Sequence, residues 1–184
     1  MLHERGHEGK AEGALLLAGA EVYNLGMSRT EKLYYSDPSA LEADASVVSI
    51  EGDPGAPVVE LDRTIFYPEG GGQPCDLGTI AGASLASVEE RDGRIFHRLA
   101  SPLAAGAGER VRLVLDGERR RDHAEQHTGQ HLLSSTLLRL FEAPTVSFHL
   151  GVERCTIDLD VPALSDDDLA EAERRIDEAI AEDY

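Results

Sequence analysis

Between residues 45 and 115 the chain breaks into short β-prone runs separated by strong turn signals, which limits this half to a small folded sheet. The candidate strands are 46–51, 58–62, 78–80, 85–89, 94–99 and 111–115. Asp53-Pro54-Gly55, Gly70-Gly71-Gly72, Asp92-Gly93 and Gly106-Ala107-Gly108 punctuate the stretch, and these residue types supply the backbone angles that tight turns need. Many short strands at this spacing predict a small β-barrel or folded sheet.

Past residue 117 the period changes. Residues 118–141 predict one long helix with Leu132, Leu133, Thr136, Leu137 and Leu140 on an apolar stripe. Pro144 follows, then two strands at 145–150 and 155–160. Ser165, with Asp168 three residues on, starts a last helix carrying Leu169, Ala172, Ile176 and Ile180 along one face. The expected class is α+β: a small N-terminal β-barrel over 27–116, then a two-layer α/β core of helix, β-hairpin and helix over 117–184, incomplete at the C-terminus. Residues 1–26 show no clear period and read as a weakly structured extension, with Met27 as the functional start. His3 and His7, inside that segment, read as accidental.

Composition excludes some classes. At 184 residues and 41% apolar content the chain can bury a core and is not disordered over most of its length. No apolar run approaches the roughly 20 residues that span a bilayer, so the expected setting is cytoplasmic with no membrane partner. Cys75 and Cys155 are expected as free thiols, Cys155 buried at a strand start. The net charge of −18 disfavours nucleic acid as a whole, but it is polarised. Residues 158–184 hold eleven acidic and two basic side chains, a net of −9, whereas residues 91–123 hold eight arginines against five acids, a net of +3.

That basic end adjoins two histidines, His127 and His131, spaced four apart in the helical pattern. Four residues give about 6 Å of rise and roughly 40° of rotation, so both imidazoles can close on one metal ion. The bland reading is a pair of surface or half-buried histidines. Gly129 between them costs about 1 kcal/mol against Ala in a helix interior, a local rule broken where something must approach the backbone. His123 lies one further turn back, and the stripe of leucines centres roughly opposite His127 and His131. The residues between are not those of a zinc peptidase, since no carboxylate base is present. The second constellation, running from Arg63 to Pro74, centres on Gly70, Gly71 and Gly72, which allow positive φ and close approach by a ligand or by another chain segment. It could hold a phosphate or ribose, or simply form a barrel corner.

Together these segments are identifiable. The glycine segment through Asp76-Leu77-Gly78-Thr79-Ile80, and the run from His123 to Leu133, strongly resemble the editing region of alanyl-tRNA synthetases and free-standing AlaX-type editing proteins. Thr30-Glu31-Lys32-Leu33-Tyr34-Tyr35 and Val146-Ser147-Phe148-His149-Leu150-Gly151 look like the longer free-standing branch. The resemblance covers roughly residues 28–184. It implies hydrolysis of the ester bond of tRNA(Ala) mischarged with serine or glycine. It implies a Zn2+ held by His127 and His131, with a Cys-x-x-x-His element further along.

By that resemblance Gln73 shapes the pocket or holds the terminal ribose, and Thr128 and His149 are wall residues. His149 is also the internal candidate for a third ligand. Arg119, Arg120 and Arg121 would meet acceptor-stem phosphates or supply ordinary helix-start charge; arginine there opposes the helix dipole, which favours binding. The chain departs from the family pattern, because no cysteine follows Cys155 and no histidine follows His149. Two expectations result: a zinc-dependent deacylase whose recorded sequence is truncated, or a non-catalytic tRNA-binding module that keeps the editing fold.

Overall fold

A computed structural model describes residues 29–151 and 154–182; the extension, Met27, His3 and His7 lie outside the described residues. A two-residue strand β1 (Glu31–Lys32) and one helical turn α1 (Leu33–Ser36) lead in. The strands β2 (Glu42–Asp53), β3 (Ala56–Leu61), β4 (Arg63–Thr64), β5 (Gly78–Ile80), β6 (Ala83–Arg91), β7 (Arg94–Leu99) and β8 (Arg110–Leu115) follow. Then come helix α2 (Gly117–Phe141), strands β9 (Thr145–His149) and β10 (Thr156–Leu159), and helix α3 (Asp166–Ala181). The class is mixed α/β with a large antiparallel sheet.

Six strands pair in the order β2-β3-β7-β6-β5-β8, and β8 pairs in turn with β2. Two strands serve two neighbours along their length. Residues 42–46 of β2 pair with β8 and its remainder with β3, the register shifting between Val47 and Ser49. β6 pairs with β5 at Ala83 and Ser84, then with β7, shifting between Leu85 and Ser87. An extra residue bends and twists a strand locally, so each shift turns a corner and wraps the sheet around its inward side chains. Phe66, Ile80, Val88, Ile95 and Leu113 are fully buried there. His97 is buried among them at an inward position between Ile95 and Leu99. Its Nδ1 meets the Val59 carbonyl at 3.1 Å and its Nε2 meets Thr64 Oγ1 at 2.9 Å. Both ring nitrogens are satisfied by a neutral ring, and burial pushes the pKa down to about 4.

Helix α2 starts where Asp116 accepts a hydrogen bond from Arg119 N and ends at Glu142, whose φ of 52° is left-handed. Helix α3 starts on a full capping box between Ser165 and Asp168. Between the two helices and the hairpin a small second core buries Leu137, Ala143 and Ala172, with Leu133, Phe141, Leu159 and Val161 packed against it.

Several expectations need correction. Of the predicted stripe on α2 only Leu137 is fully buried, and Leu140 is 37% exposed. The hairpin and α3 cover one narrow strip of a long helix, so leucines one step round remain in solvent. Cys155 is exposed rather than buried, though both cysteines are free as expected. It lies just outside the first hairpin pair, Thr156 with His149, where no layer covers it. β2 begins four residues before the predicted strand, because the alternation in Glu42-Ala43-Asp44-Ala45 is carried by alanines, which are weak strand formers.

Candidate active site

The glycine loop is a closed ring of chain with a pinched neck. Asp76 N donates to the Tyr67 carbonyl at 3.0 Å, and Tyr67 N donates to Asp76 Oδ2 at 2.5 Å. At the tip Gly70 N and Gln73 N each donate to the other residue's carbonyl, at 3.1 and 3.0 Å. The two residues between, Gly71 and Gly72, have φ of 58° and 80°, the pairing that a type I′ turn requires. Gly72 also lies against β9: a Cβ there would stand 2.1 Å from the Phe148 carbonyl oxygen, and Leu150 N donates to Gly72 O at 2.9 Å. The close approach expected of the glycines is made by the chain's own hairpin, and the turn itself uses the Gly70 and Gln73 N–H groups.

This docking delivers Gln73 to α2. His127 Nδ1 and Gln73 Oε1 are 3.0 Å apart. An amide oxygen only accepts, so Nδ1 carries the proton and the lone pair is left on Nε2. His131 Nε2 lies 2.9 Å from that atom, and the ring of Phe148 packs edge-on against His127 at 5.7 Å between centroids. A second-sphere group that fixes the tautomer and aims the free nitrogen is the usual support of a histidine metal ligand. Two nitrogens on one tetrahedral zinc stand roughly 3.3 Å apart, so a small rotation of either ring opens the pair to that span. The pair fits half of a zinc site. Among the described residues no group of three His, Cys, Asp or Glu side chains is placed to share an ion.

The other expected site residues are placed less centrally. Thr128 is exposed and its hydroxyl donates to the Ala124 carbonyl of its own helix at 2.8 Å. His149 is exposed at the end of β9. Arg119 Nε donates to the Cys75 carbonyl at 3.1 Å. The Arg120 guanidinium, 17% exposed, pairs with Asp76, 1% exposed, at 2.5 Å, and donates to the Ile65 and Pro38 carbonyls at 2.8 and 3.1 Å. Arg121 is exposed and forms no ion pair among the described residues.

The sequence assigned no site role to four neighbours. Asp76 is buried at the loop neck, and its signal was an acid between apolar residues just after a glycine turn. Tyr67 closes the same neck, and Phe148 forms the wall beside His127. His123 is buried, and its Nδ1 has no hydrogen-bond partner among the described residues; burial and the Arg119 guanidinium hold its pKa down. Cys155, outside these four, donates its thiol proton to Gln126 Oε1 at 2.9 Å.

The glycine loop faces the His-x-x-x-His segment of α2, and the class comes from comparison with known proteins, which are alanyl-tRNA editing proteins and alanine–tRNA ligases. The chain is 42% identical over 126 residues to the alanyl-tRNA editing protein AlaX-L of Pyrococcus horikoshii, an alignment covering 65% of this chain and 31% of that protein. It is 39% identical over 143 residues to the alanyl-tRNA editing protein Aarsd1 of Rattus norvegicus, covering 78% of this chain and 34% of that one. Against the alanine–tRNA ligase of Natronomonas pharaonis it is 41% identical over 125 residues, 64% of this chain and 13% of the ligase. No protein-family model matches. The chain is a homologue of the AlaX-type editing region common to these proteins, and it spans about a third of the length of the editing proteins it matches.

Proposed function

We propose that the chain hydrolyses the aminoacyl ester of tRNA(Ala) wrongly charged with serine or glycine, in the cytoplasm, using a zinc ion. A synthetic site for a small amino acid cannot strongly reject a close isostere, so a second site must remove the product. The observation that carries the reading is the Gln73–His127–His131 chain, 3.0 and 2.9 Å between successive partners, on the two segments whose sequences resemble editing regions.

In the reaction, water adds to the ester carbonyl, the bond from acyl carbon to ribose oxygen breaks, and the ribose oxygen leaves with a proton. His127 and His131 would hold the zinc through Nε2. Bound there, the ion would polarise the ester carbonyl or anchor the amino acid's amino group. Gln73 holds the His127 proton on Nδ1 and keeps Nε2 free. Phe148 shields one face of that ring from water. Arg121, exposed on the first turns of α2, is the group available to a phosphate of the acceptor end; Thr128 and His149, both exposed, would serve as wall residues.

The test measures zinc content and release of serine from seryl-tRNA(Ala) and of glycine from glycyl-tRNA(Ala), with alanyl-tRNA(Ala) as the control. Release of serine or glycine well ahead of alanine is expected, and His127→Ala should lower both zinc and rate by about 100-fold or more. Full rate in zinc-free protein would overturn the metal role, and no release by zinc-loaded protein would overturn the activity.

A further inference from the structure

Helix α2 carries Arg120 and His127 seven residues apart. That is close to two full turns, so the two side chains lie on one face within roughly 20°, about 10 Å apart along the axis. Both reach the same loop. His127 meets Gln73 at its tip, and Arg120 grips Asp76 at its neck. Asp76 is the residue whose carboxylate and N–H close that neck on Tyr67. Arg120 also binds the Ile65 carbonyl, just before the loop begins, so one guanidinium joins both flanks of the loop to the helix. The loop's far side is fixed by Gly72 against β9. On its side toward the helix Arg120 holds the Asp76 carboxylate, with Arg119 on the neighbouring Cys75 carbonyl.

We propose that Arg120 is a positioning residue for the editing site: through Asp76 it sets the register of the glycine loop on α2 and thereby places Gln73 Oε1 on His127 Nδ1. This rests on the functional reading above for its consequence in catalysis, but not for its geometry. It also separates the three arginines. Arg120 is spent inside the protein, and its guanidinium faces Asp76 rather than solvent. A half-buried, bidentate arginine with extra carbonyl acceptors is a rigid fork that a lysine ammonium reproduces only in part.

The test reads the tautomer of His127 directly, by long-range 15N–1H correlation on the chelator-treated 184-residue chain at pH 8. The wild-type ring should be the Nδ1–H form. Gln73→Ala should return it toward the Nε2–H form that free imidazole favours. Arg120→Met should do the same in protein that keeps its circular dichroism, Arg120→Lys should lie between, and Gln73→Ala/Arg120→Met should match the single Gln73 change. If Arg120→Met does not fold, Asp76→Asn provides the same comparison. An unchanged His127 tautomer in a folded Arg120 or Asp76 variant overturns the proposal.

In the deacylation assay Arg120→Met should lower kcat about tenfold with KM within about twofold, and this loss should vanish in the Gln73→Ala background. A rise in KM that grows with salt would instead make Arg120 a phosphate contact and overturn the inference. If the wild-type chain releases no amino acid, the functional reading fails alone, and the tautomer result still decides the role of Arg120.

Discussion

The six-stranded sheet packs sixteen buried residues into a single hydrophobic cluster that includes Phe66, Leu113 and Ile95, whereas the cluster of the helical half holds three among the described residues, Leu137, Ala143 and Ala172. The first half has a core large enough to hold its shape. The second is a long helix, a two-stranded hairpin and a short helix, and a lone hairpin is marginal in water. What orients this second half is its seam with the sheet: Arg120 on Asp76, Arg119 on Cys75, Gln73 on His127 and Gly72 on Leu150. The candidate site lies on that seam, where one half supplies rigidity and the other supplies imidazoles.

The strongest way to break this comparison is to empty the sheet core. Phe66→Ala should cost about 4 kcal/mol in urea denaturation. Hydrogen exchange should lose protection in α2 along with the sheet. Protection retained in α2 while the sheet loses its own would make the halves independent.

Acid provides a second separation. His97 is buried, with its pKa lowered to about 4, below the ordinary value near 6.5. The unfolded chain therefore binds the proton first. Stability from this group is complete above about pH 6.5 and drains away as pH falls toward 4, by about 3 kcal/mol in all. Urea midpoints at several pH values should fall through that window, and His97→Gln should flatten the fall. An equal slope in the variant would move the effect elsewhere.

The smallest expected change sharpens the view of the helical half. At Gly129 a Cβ would meet nothing within 4 Å, so Gly129→Ala should stabilise α2 by about 1 kcal/mol, read as a higher Tm. If substrate approaches that backbone, deacylation falls although the protein is more stable; equal or better activity would reduce the glycine to a neutral choice.

Periodicity made much of the sheet legible. β5 and β7 fall on the expected residues 78–80 and 94–99, α2 stands within a residue of its expected range, and α3 starts on its expected cap. His97 lies at an inward position of that strand, flanked by Ile95 and Leu99, but a single polar residue in a short strand does not announce its partners. The seam was not legible. Gln73 and His127 are 54 residues apart and Asp76 and Arg120 are 44 apart, and no local pattern encodes pairings across such distances. For the same reason Arg120 read as surface charge: the acid that buries it belongs to another segment. Cys155 failed differently, because a strand start implies burial only when a further layer covers it.

The closed neck at Tyr67 and Asp76 also bears on how the chain comes into being. Residues up to 76 can shape the loop as soon as they exist, but the grip on that neck waits for Arg120, and the imidazole for Gln73 comes seven residues later. During synthesis the loop is ready long before its helix.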